Sequence, residues 1–305
     1  MSKIEQMFRH ARKVALDSYE YKKVLEEFTS ILSFEAKHVQ RNHVMVLDRA
    51  ERILFVGDVH GDLETLYEVF VKRVDLYTHL REGGYVVFLG DYVDRGAQQL
   101  EALSLIALLK SEWRSQIITL RGNHEPPPWL PPYPHDYPQY LVMRFGREEG
   151  EQLYELSQRV FECLPLMVYI PNNLLAVHGG PPILRVLKYS NADDILRISE
   201  DKTAIEDILW SDPIEENVEW IPSYRGAGKL WGYRVTEQTL SKLNIKLIIR
   251  AHEPCIAGYK LNHGNKVLTL FTMRGYYGNI SAAVALIDLT RDRWYDEVNR
   301  YIITV

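Results

Sequence analysis

The sequence predicts an α/β protein in which helices cover both faces of the β-sheets. Five short apolar runs are continuous rather than alternating, which is typical of strands that are buried on both faces. These runs are Ile53–Val56, Tyr85–Leu89, Ile117–Leu120, Leu174–Val177 and Leu247–Ile249. The intervening segments 63–80, 98–112, 192–209 and 237–243 are predicted to be helices.

The N-terminal segment is predicted to be helical as well. Over residues 3–35, apolar side chains recur every three or four positions with charged residues between them. We expect an amphipathic pair of helices that packs on a larger body, with a partner-binding helix as the alternative. The chain of 305 residues is predicted to form one domain, 1–305, in which residues 1–45 are a helical extension packed on the rest.

The remaining predicted elements lie near the C-terminus. The apolar runs 267–271, 282–289 and 301–304 are predicted to be strands that form or extend a second sheet. No internal repeat and no obvious linker divides the chain, so these strands are assigned to the same domain as the earlier ones. The sequence therefore predicts more than one sheet within a single folded unit.

A proline-rich segment interrupts this pattern. Seven of the 14 prolines lie between Pro126 and Pro138. Because proline lacks the N–H that helices and central strands need, the sequence predicts neither element over 126–138. The spacing of Pro128 and Pro131 fits a polyproline recognition motif, but a stiff loop is the simpler interpretation. Since the segment directly follows a polar cluster at Asn123, we expect it to form one wall of a site.

The composition excludes several classes of protein. The formal net charge is −5, so no overall basic field favours nucleic acid or an anionic membrane. Only Cys163 and Cys255 are present, which excludes a disulfide framework and a cysteine-based zinc site. The charged N-terminus has no signal-peptide pattern, and no apolar run is long enough to span a bilayer. We therefore expect a cytoplasmic protein without nucleic-acid or membrane partners.

Polar side chains follow the five predicted strands at the points where the strands end. They include Asp58, His60, Asp91, Asn123, His178 and His252. In open α/β sheets ligands bind at the carboxyl ends of the strands, so these side chains can converge. Oxygen and imidazole donors without thiolate suit Mn2+, Fe, Zn2+ or Mg2+. Six donors are too many for one ion with an open position; they suit two ions that share a bridging carboxylate, and Asp91 is the natural bridge.

The surrounding residues supply the other groups that phosphoryl chemistry needs. Two ions would lower the pKa of a shared water and hold the attacking and leaving oxygens of an in-line displacement at phosphorus. Guanidinium groups match phosphate bidentately, which makes Arg95 and Arg225 candidate phosphate ligands. His124 can protonate a leaving alkoxide, and Asp94 can keep that imidazole protonated and oriented.

Seven motifs resemble, in order and spacing, the signature of the PPP-family serine/threonine protein phosphatases. They are Gly57-Asp-Val-His-Gly61, Gly90-Asp-Tyr-Val-Asp-Arg-Gly96, Arg121-Gly-Asn-His-Glu125, His178-Gly-Gly180, Trp210-Ser-Asp-Pro213, Arg225-Gly-Ala-Gly228 and Arg250-Ala-His252. The resemblance runs from about residue 50 to 280 and is strongest to the minimal archaeal and other prokaryotic members. Glu253 stands where eukaryotic members usually carry glutamine, and Tyr277 where many carry cysteine.

The resemblance implies a calcineurin-like metallophosphoesterase fold, a central β-sandwich of two mixed sheets flanked by helices. It implies a site with two metal ions, with Asp58, His60 and Asp91 at one and Asp91, Asn123, His178 and His252 at the other. It makes His124 the general acid with Asp94 as its partner. It also places Arg95, Arg225, Asn123 and Tyr276 at the substrate phosphate.

The predicted function is hydrolysis of phosphomonoesters on protein serine and threonine. The resemblance implies direct attack by a hydroxide that two divalent ions activate, with manganese as the first candidate and Fe, Zn2+ or Mg2+ as the others. The alternative is a small-molecule phosphohydrolase such as a dinucleoside polyphosphatase. A nuclease or phosphodiesterase fits less well, because His252-Glu253 lacks the second histidine of the Gly-His-X-His motif of those relatives. A non-catalytic scaffold would lack some of the ligands, and all are present.

Overall fold

Two large β-sheets pack face to face in the computed structural model, which describes all 305 residues. The strands are β1 (Val44–Val46), β2 (Arg52–Val56), β3 (Tyr85–Phe88), β4 (Ile117–Thr119), β5 (Met167–Ile170), β6 (Leu174–Val177), β7 (Asp212–Pro213), β8 (Trp220–Pro222), β9 (Lys229–Trp231), β10 (Leu247–Arg250), β11 (Tyr259–Asn262), β12 (Val267–Leu270), β13 (Ala283–Asp288) and β14 (Ile302–Thr304). One sheet has the order β1-β5-β6-β10-β12-β11 and the other β14-β13-β2-β3-β4, while β7, β9 and β8 form a small third sheet.

Helices cover the outer faces of both large sheets. They are α1 (Lys3–Val14), α2 (Ser18–His38), α3 (Leu63–Tyr67), α4 (Leu76–Arg81), α5 (Gln99–Glu112), α6 (Tyr137–Phe145), α7 (Arg147–Cys163), α8 (Ile183–Lys188), α9 (Ala192–Ile195), α10 (Lys202–Trp210) and α11 (Tyr233–Leu243). A π-helical segment, Glu68–Arg73, follows α3, and a 3-10 segment, Trp294–Tyr301, precedes β14. None of these helices combines the length and the apolar character that crossing a membrane requires.

The alternation of side chains along each strand produces four layers. In β2, Ile53 and Phe55 point into the core between the two sheets, whereas Leu54 and Val56 join the core beneath the helices. The six-stranded sheet behaves likewise, since Ile249 lies between the sheets and Ile248 lies under α8, α10 and α11. Both faces of the strands are therefore apolar, which explains their continuous apolar runs. The predicted class, two mixed sheets flanked by helices, is confirmed.

The two N-terminal helices share the core of the five-stranded sheet. Ser2 and Glu5 form a capping box that fixes the start of α1. The buried side chains of Phe8 in α1 and Tyr21 in α2 belong to the same apolar cluster as Leu54 in β2. Burying a side chain such as Phe8 contributes about 1.5–3 kcal/mol, so this contact helps to hold the extension on the sheet.

Several predicted helix boundaries are wrong for local reasons. The segment 63–80 breaks at Asp75, whose backbone is left-handed (φ 47°) and whose carboxylate caps α4. The segment 192–209 is two helices, because Asp201 caps a new start at Lys202. Pro138 lies inside α6 although no helix was predicted through residue 138; it occupies the first turn, where a missing N–H costs nothing. The sequence patterns do not predict helices α6, α7 and α8, strands β1, β5 and β11 or the small third sheet.

The topology brings the predicted polar clusters to one edge of the sandwich. Strands β2, β3 and β4 are parallel to one another, as are β6, β10 and β12. Asp58, which follows β2, forms a parallel bridge with Phe271, which follows β12, so the carboxyl ends of the two sheets meet. Loops after five strands of two different sheets therefore surround one cavity.

Candidate active site

A cavity at this edge collects nearly all the residues that the sequence singled out. Its lining includes Asp58, His60, Asp91, Arg95, Asn123, His124, Arg225, His252 and Tyr276. The two other predicted residues, Asp94 and His178, are fully buried behind the wall. Pro132 and Tyr133 also line the cavity, so the proline-rich segment forms part of the wall as predicted.

Unusual backbone conformations hold several of these side chains in place. Asp91, Asp94 and Arg95 have positive φ values of 57°, 66° and 72°, a region that non-glycine residues rarely occupy. Such conformations persist only where the surroundings enforce them, and they cluster at functional sites. The turn is also tight, because a Cβ on Gly122 would lie 2.2 Å from Asp91 Oδ1. The Gly90–Gly96 turn is therefore shaped by both its own backbone and the neighbouring loop.

Backbone carbonyls set the tautomers of two histidines. His60 Nδ1 donates to the Val93 carbonyl at 2.7 Å, and His178 Nδ1 donates to the Leu89 carbonyl at 2.9 Å. Burial lowers the pKa of His60 to about 3 and that of His178 well below its usual value, so both rings are neutral. Each ring therefore directs an Nε2 lone pair into the site.

These lone pairs face other acceptors, which is the arrangement that a cation requires. Asn123 Oδ1 lies 2.9 Å from His178 Nε2 and 2.9 Å from His252 Nδ1. Because Nε2 of the neutral His178 carries no proton, it repels the Asn123 oxygen unless a positive charge lies beside both. His252 Nε2 is buried without a partner, which leaves Nδ1 as the atom that faces the cluster. Imidazole nitrogen and amide oxygen are suitable ligands for divalent ions.

Asp91 lies between the two groups of donors. Its Oδ2 is 3.4 Å from His60 Nε2 and 3.5 Å from His178 Nε2. The ligand atoms of Asp91, His178 and His252 lie within 4.8 Å of one another, and the same holds for His60, Asp91 and His124. This central position is the one that a carboxylate bridging two ions would take. The residues present therefore fit a pair of divalent ions.

The buried carboxyl groups of the site have too little positive charge around them to keep their usual pKa values. Burial raises the pKa of Asp58 to about 7, and burial together with the charge of Asp58 raises the pKa of Asp91 well above its usual range. Burial also raises the pKa of Glu125 to about 7. Three buried carboxyl groups side by side disfavour their own ionisation, and bound cations would reverse this.

His124 and Asp94 form a close pair beside the metal donors. His124 Nδ1 is 2.5 Å from Asp94 Oδ2, so Nε2 is the ring atom left free. Burial lowers the pKa of His124, and the hydrogen bond and charge of Asp94 oppose that effect. At Asp94, burial acts to raise the pKa, but hydrogen bonds from His124 and His135 outweigh it and hold the pKa well below its usual range. Asp94 is therefore ionised.

Two arginines provide positive charge at the cavity. Arg225 Nε donates to Asp212 Oδ2 at 2.7 Å, and the buried Arg250 donates to the other oxygen of the same carboxylate at 2.7 Å. From the sequence alone, Asp212 in the Trp210-Ser-Asp-Pro213 motif can either shape the site or only close the helix that ends near Trp210. In the structure it contacts Arg225. Arg95 also lines the cavity, and its Nε is buried without a partner.

The aromatic lining differs in part from the prediction. Tyr276 stacks on Phe271 with ring centroids 5.9 Å apart, and burial raises the pKa of its hydroxyl to about 12, so it remains a donor. From the sequence, Trp231 and Trp210 are both expected to be core residues, and Trp231 is indeed fully buried. The expectation is wrong for Trp210, which lines the cavity and contacts the His252 ring edge to face with ring centroids 5.8 Å apart.

Two further residues shape the site although no sequence pattern indicates this role. Glu125 was noted only as part of a motif, yet its carboxylate accepts backbone N–H groups of Asp91, Tyr92 and Gly122 at 2.7–3.1 Å. His135 lies outside every motif, so a surface or capping role is the expectation from sequence; instead its side chain is largely buried, and its Nδ1 donates to Asp94 Oδ2 at 2.6 Å. The only sequence signal for His135 is its place at the end of the proline-rich segment.

The sequence of this chain is similar to those of known phosphoesterases. The family described as Calcineurin-like phosphoesterase matches residues 51–255. The serine/threonine-protein phosphatase 4 catalytic subunit of Kluyveromyces lactis is 30% identical over 89% of this chain and 86% of its own length. A Caenorhabditis elegans protein named as a serine/threonine-protein phosphatase is 33% identical over 78% of this chain, which spans 62% of that relative.

A solved structure supports the same fold. The protein serine/threonine phosphatase from Saccharomyces cerevisiae with similarity to human phosphatase PP5 superposes with a TM-score of 0.73 at 21% identity. The match covers 95% of this chain and 89% of that one. With the family match and the relatives at 30% identity or more, the assignment is clear. The chain belongs to the calcineurin-like phosphoesterases and, among them, to the PPP-family phosphatases.

Proposed function

We propose that this chain is a metal-dependent protein serine/threonine phosphatase that hydrolyses phosphomonoesters by direct in-line attack on phosphorus. One observation carries the proposal: cation donors, two arginines and a carboxylate-bound histidine converge in a single cavity. The names of the relatives, which are serine/threonine-protein phosphatases, support the substrate class.

The metal donors divide into two sets around Asp91. Asp58, His60 and Asp91 would hold one divalent ion, and Asp91, Asn123, His178 and His252 would hold the other. Ions bound there would supply an acidified water as the nucleophile and neutralise negative charge on the phosphoryl group. We propose manganese as the first candidate; oxygen and imidazole donors without thiolate suit it, and they also suit Fe, Zn2+ and Mg2+.

Removal and return of metal tests this assignment. Treatment with a chelator should remove about two ions per chain and abolish turnover. Manganese should restore both the ion content and kcat better than zinc or magnesium. Full activity of metal-free protein, measured beside its metal content, would contradict the assignment.

The chain's own polar groups position the phosphate. Arg95 and Arg225 offer guanidinium groups on different parts of the cavity wall, and each can bind two phosphate oxygens. The Tyr276 hydroxyl and the Asn123 amide are further donors beside the same space. Together these four groups would orient the phosphorus for attack and place the leaving oxygen on the side of His124.

His124 would protonate the leaving oxygen. Asp94 accepts from Nδ1, so the proton on Nε2 is the one available to the substrate. The ionised Asp94 stabilises the imidazolium form that carries this proton. Protonation matters because an alkoxide from serine or threonine is a poor leaving group.

The substrate class is tested by comparing kcat/KM among three substrates. Phosphoserine and phosphothreonine peptides should be hydrolysed more efficiently than phosphotyrosine peptides and than a dinucleoside tetraphosphate. A strong preference for the dinucleotide would favour the alternative small-molecule phosphohydrolase. A strong preference for phosphotyrosine would reject the serine/threonine assignment.

We further propose that residues 1–305 act as one catalytic domain. The packing of α1 and α2 into the core of the five-stranded sheet supports this, with residues 1–45 as an extension of the same unit. A cytoplasmic location, which the cysteine content favours, stays a prediction that fractionation of cells would test.

A further inference from the structure

His135 contacts the catalytic pair but has no role in the mechanism above. Its Nδ1 lies 2.6 Å from Asp94 Oδ2, the oxygen that also bonds His124 Nδ1 at 2.5 Å. A carboxylate oxygen can only accept, so both imidazoles donate to it. Two rings from different positions in the chain therefore share one oxygen atom of Asp94.

The neighbours of His135 hold the second oxygen of the same carboxylate. Asp94 Oδ1 accepts the backbone N–H of Asp136 at 2.9 Å and that of Tyr137 at 2.7 Å. Three of the four hydrogen bonds to the Asp94 carboxylate thus come from residues 135–137. They fix the plane of a carboxylate that is fully buried.

Tyr154 on α7 supports His135 from the far side. Its hydroxyl lies 3.0 Å from His135 Nε2. Burial, with a contribution from the charge of Asp94, raises the pKa of Tyr154, so the hydroxyl keeps its proton and can donate it. A neutral imidazole that donates through Nδ1 and accepts through Nε2 satisfies both contacts. The result is a continuous chain of hydrogen bonds from Tyr154 through His135 and Asp94 to His124.

These hydrogen bonds also attach the proline-rich segment, residues 126–138, to Asp94. His124 precedes this segment by two residues, His135 lies near its end, and both donate to the same oxygen of Asp94. Pro132 and Tyr133, which line the cavity, lie two or three residues from His135. The wall of the cavity and the catalytic pair are therefore fixed to each other through one carboxylate.

We propose that His135 is a positioning residue that holds the Asp94 carboxylate in line with His124. The inference rests on the proposed function, because it assumes that His124 donates a proton to the leaving oxygen. Without the His135 donor, Oδ2 is free to turn or to accept water, and the alignment of the His124 ring is lost. The loss should fall mainly on substrates whose leaving group needs that proton.

The test compares two leaving groups in the same variant. The serine alkoxide of a phosphoserine peptide requires protonation, whereas the nitrophenolate of p-nitrophenyl phosphate requires little. We expect His135→Phe to lower kcat for the peptide on the order of tenfold more than it lowers kcat for the aryl phosphate. This difference is a fraction of the ~10²–10⁴-fold that a general acid contributes. The ratio of the two kcat values does not depend on the fraction of folded protein, so partial misfolding cannot imitate the result.

Matched variants separate positioning from simple packing. His135→Asn retains a side-chain N–H close to the position of Nδ1, so its ratio of peptide kcat to aryl phosphate kcat should be close to that of the unmodified enzyme. Tyr154→Phe should lower this ratio less than His135→Phe does. In an Asp94→Asn background, His135→Phe should change the ratio no further, because the two residues act through one path.

Three results would overturn the proposal. They are equal losses of kcat for both substrates in His135→Phe, an Asn variant as impaired as the Phe variant, and additive effects with Asp94→Asn. Failure of the proposed function gives a different result, since the unmodified enzyme would then not hydrolyse the phosphoserine peptide at all.

Discussion

Asp212 holds Arg225 at the wall of the cavity: its Oδ2 accepts the Arg225 Nε–H at 2.7 Å. The other oxygen of the carboxylate accepts from Arg250 at 2.7 Å, and Arg250 is fully buried. The hydrogen bond from Arg250 therefore holds the Asp212 carboxylate in the orientation in which it binds Arg225. This arrangement leaves the two terminal nitrogens of Arg225 for a substrate.

Asp212→Asn should weaken phosphate binding without removing the charge of Arg225. Arg250 will retain the amide oxygen, which turns the amide N–H2 towards Arg225 Nε. A hydrogen bond to a charged group contributes about 1.5–3 kcal/mol, so the inhibition constant of inorganic phosphate should rise roughly ten- to hundredfold. In an Arg225→Ala background the same change should have little effect. An unchanged inhibition constant in the single variant would show that Asp212 does not position Arg225.

His124→Asn should separate proton donation from metal binding. Its Nδ1 bonds Asp94 and not the metal donors, and an asparagine amide retains that contact. We expect kcat for phosphoserine peptides to fall by about 10²-fold or more while both ions stay bound. Metal analysis and steady-state kinetics on the same preparation check this. Loss of the ions, or unchanged turnover, would disprove the role of general acid.

The strands that carry the site, and the polar residues at their ends, are predictable from the sequence because both follow from short local patterns. Continuous apolar runs arise from burial on both faces, and the turn at Asp91 needs its glycines and acidic groups close together. The role of His135 is not predictable in this way, since its contact with Asp94 spans 41 residues and depends on the path of the proline-rich segment. The position of Trp210 in the cavity wall is not predictable either, because a tryptophan at the end of an apolar helical pattern is normally a core residue.

Acid should destabilise the fold through a histidine far from the cavity. His79 is buried, its Nε2 donates to the Tyr85 carbonyl, and burial lowers its pKa below the usual 6.5. The unfolded chain therefore binds a proton that the folded protein does not. Stability is unaffected above about pH 6.5, falls as the pH drops below that value, and stops falling below the folded-state pKa.

Denaturant unfolding of His79→Gln at pH 7 and pH 5 measures this contribution. The variant should lose less free energy of unfolding between the two pH values than the unmodified protein, by about 1.4 kcal/mol for each unit of pKa shift that the window covers. Equal losses in both proteins would mean that His79 keeps its usual pKa in the fold.

The N-terminal extension should be part of the cooperative core. Phe8→Ala removes a fully buried ring that packs against Tyr67 and Phe70. The free energy of unfolding should fall by about 3–5 kcal/mol, the usual cost of this change in a core. Tyr19→Ala in the exposed part of α2 is the control and should cost much less. A separate early transition for residues 1–45 would indicate an independent unit.

Asp91→Asn, analysed for metal content and kcat together, tests the central claim that one carboxylate serves two ions. The unmodified protein should bind two divalent ions per chain, and the variant should bind fewer than two. Its kcat should fall by at least about 10²-fold, because an amide bridges two cations poorly. Asp75→Asn, which changes a helix cap away from the cavity, is the matched control. An Asp91→Asn variant that keeps both ions and full activity would contradict the account.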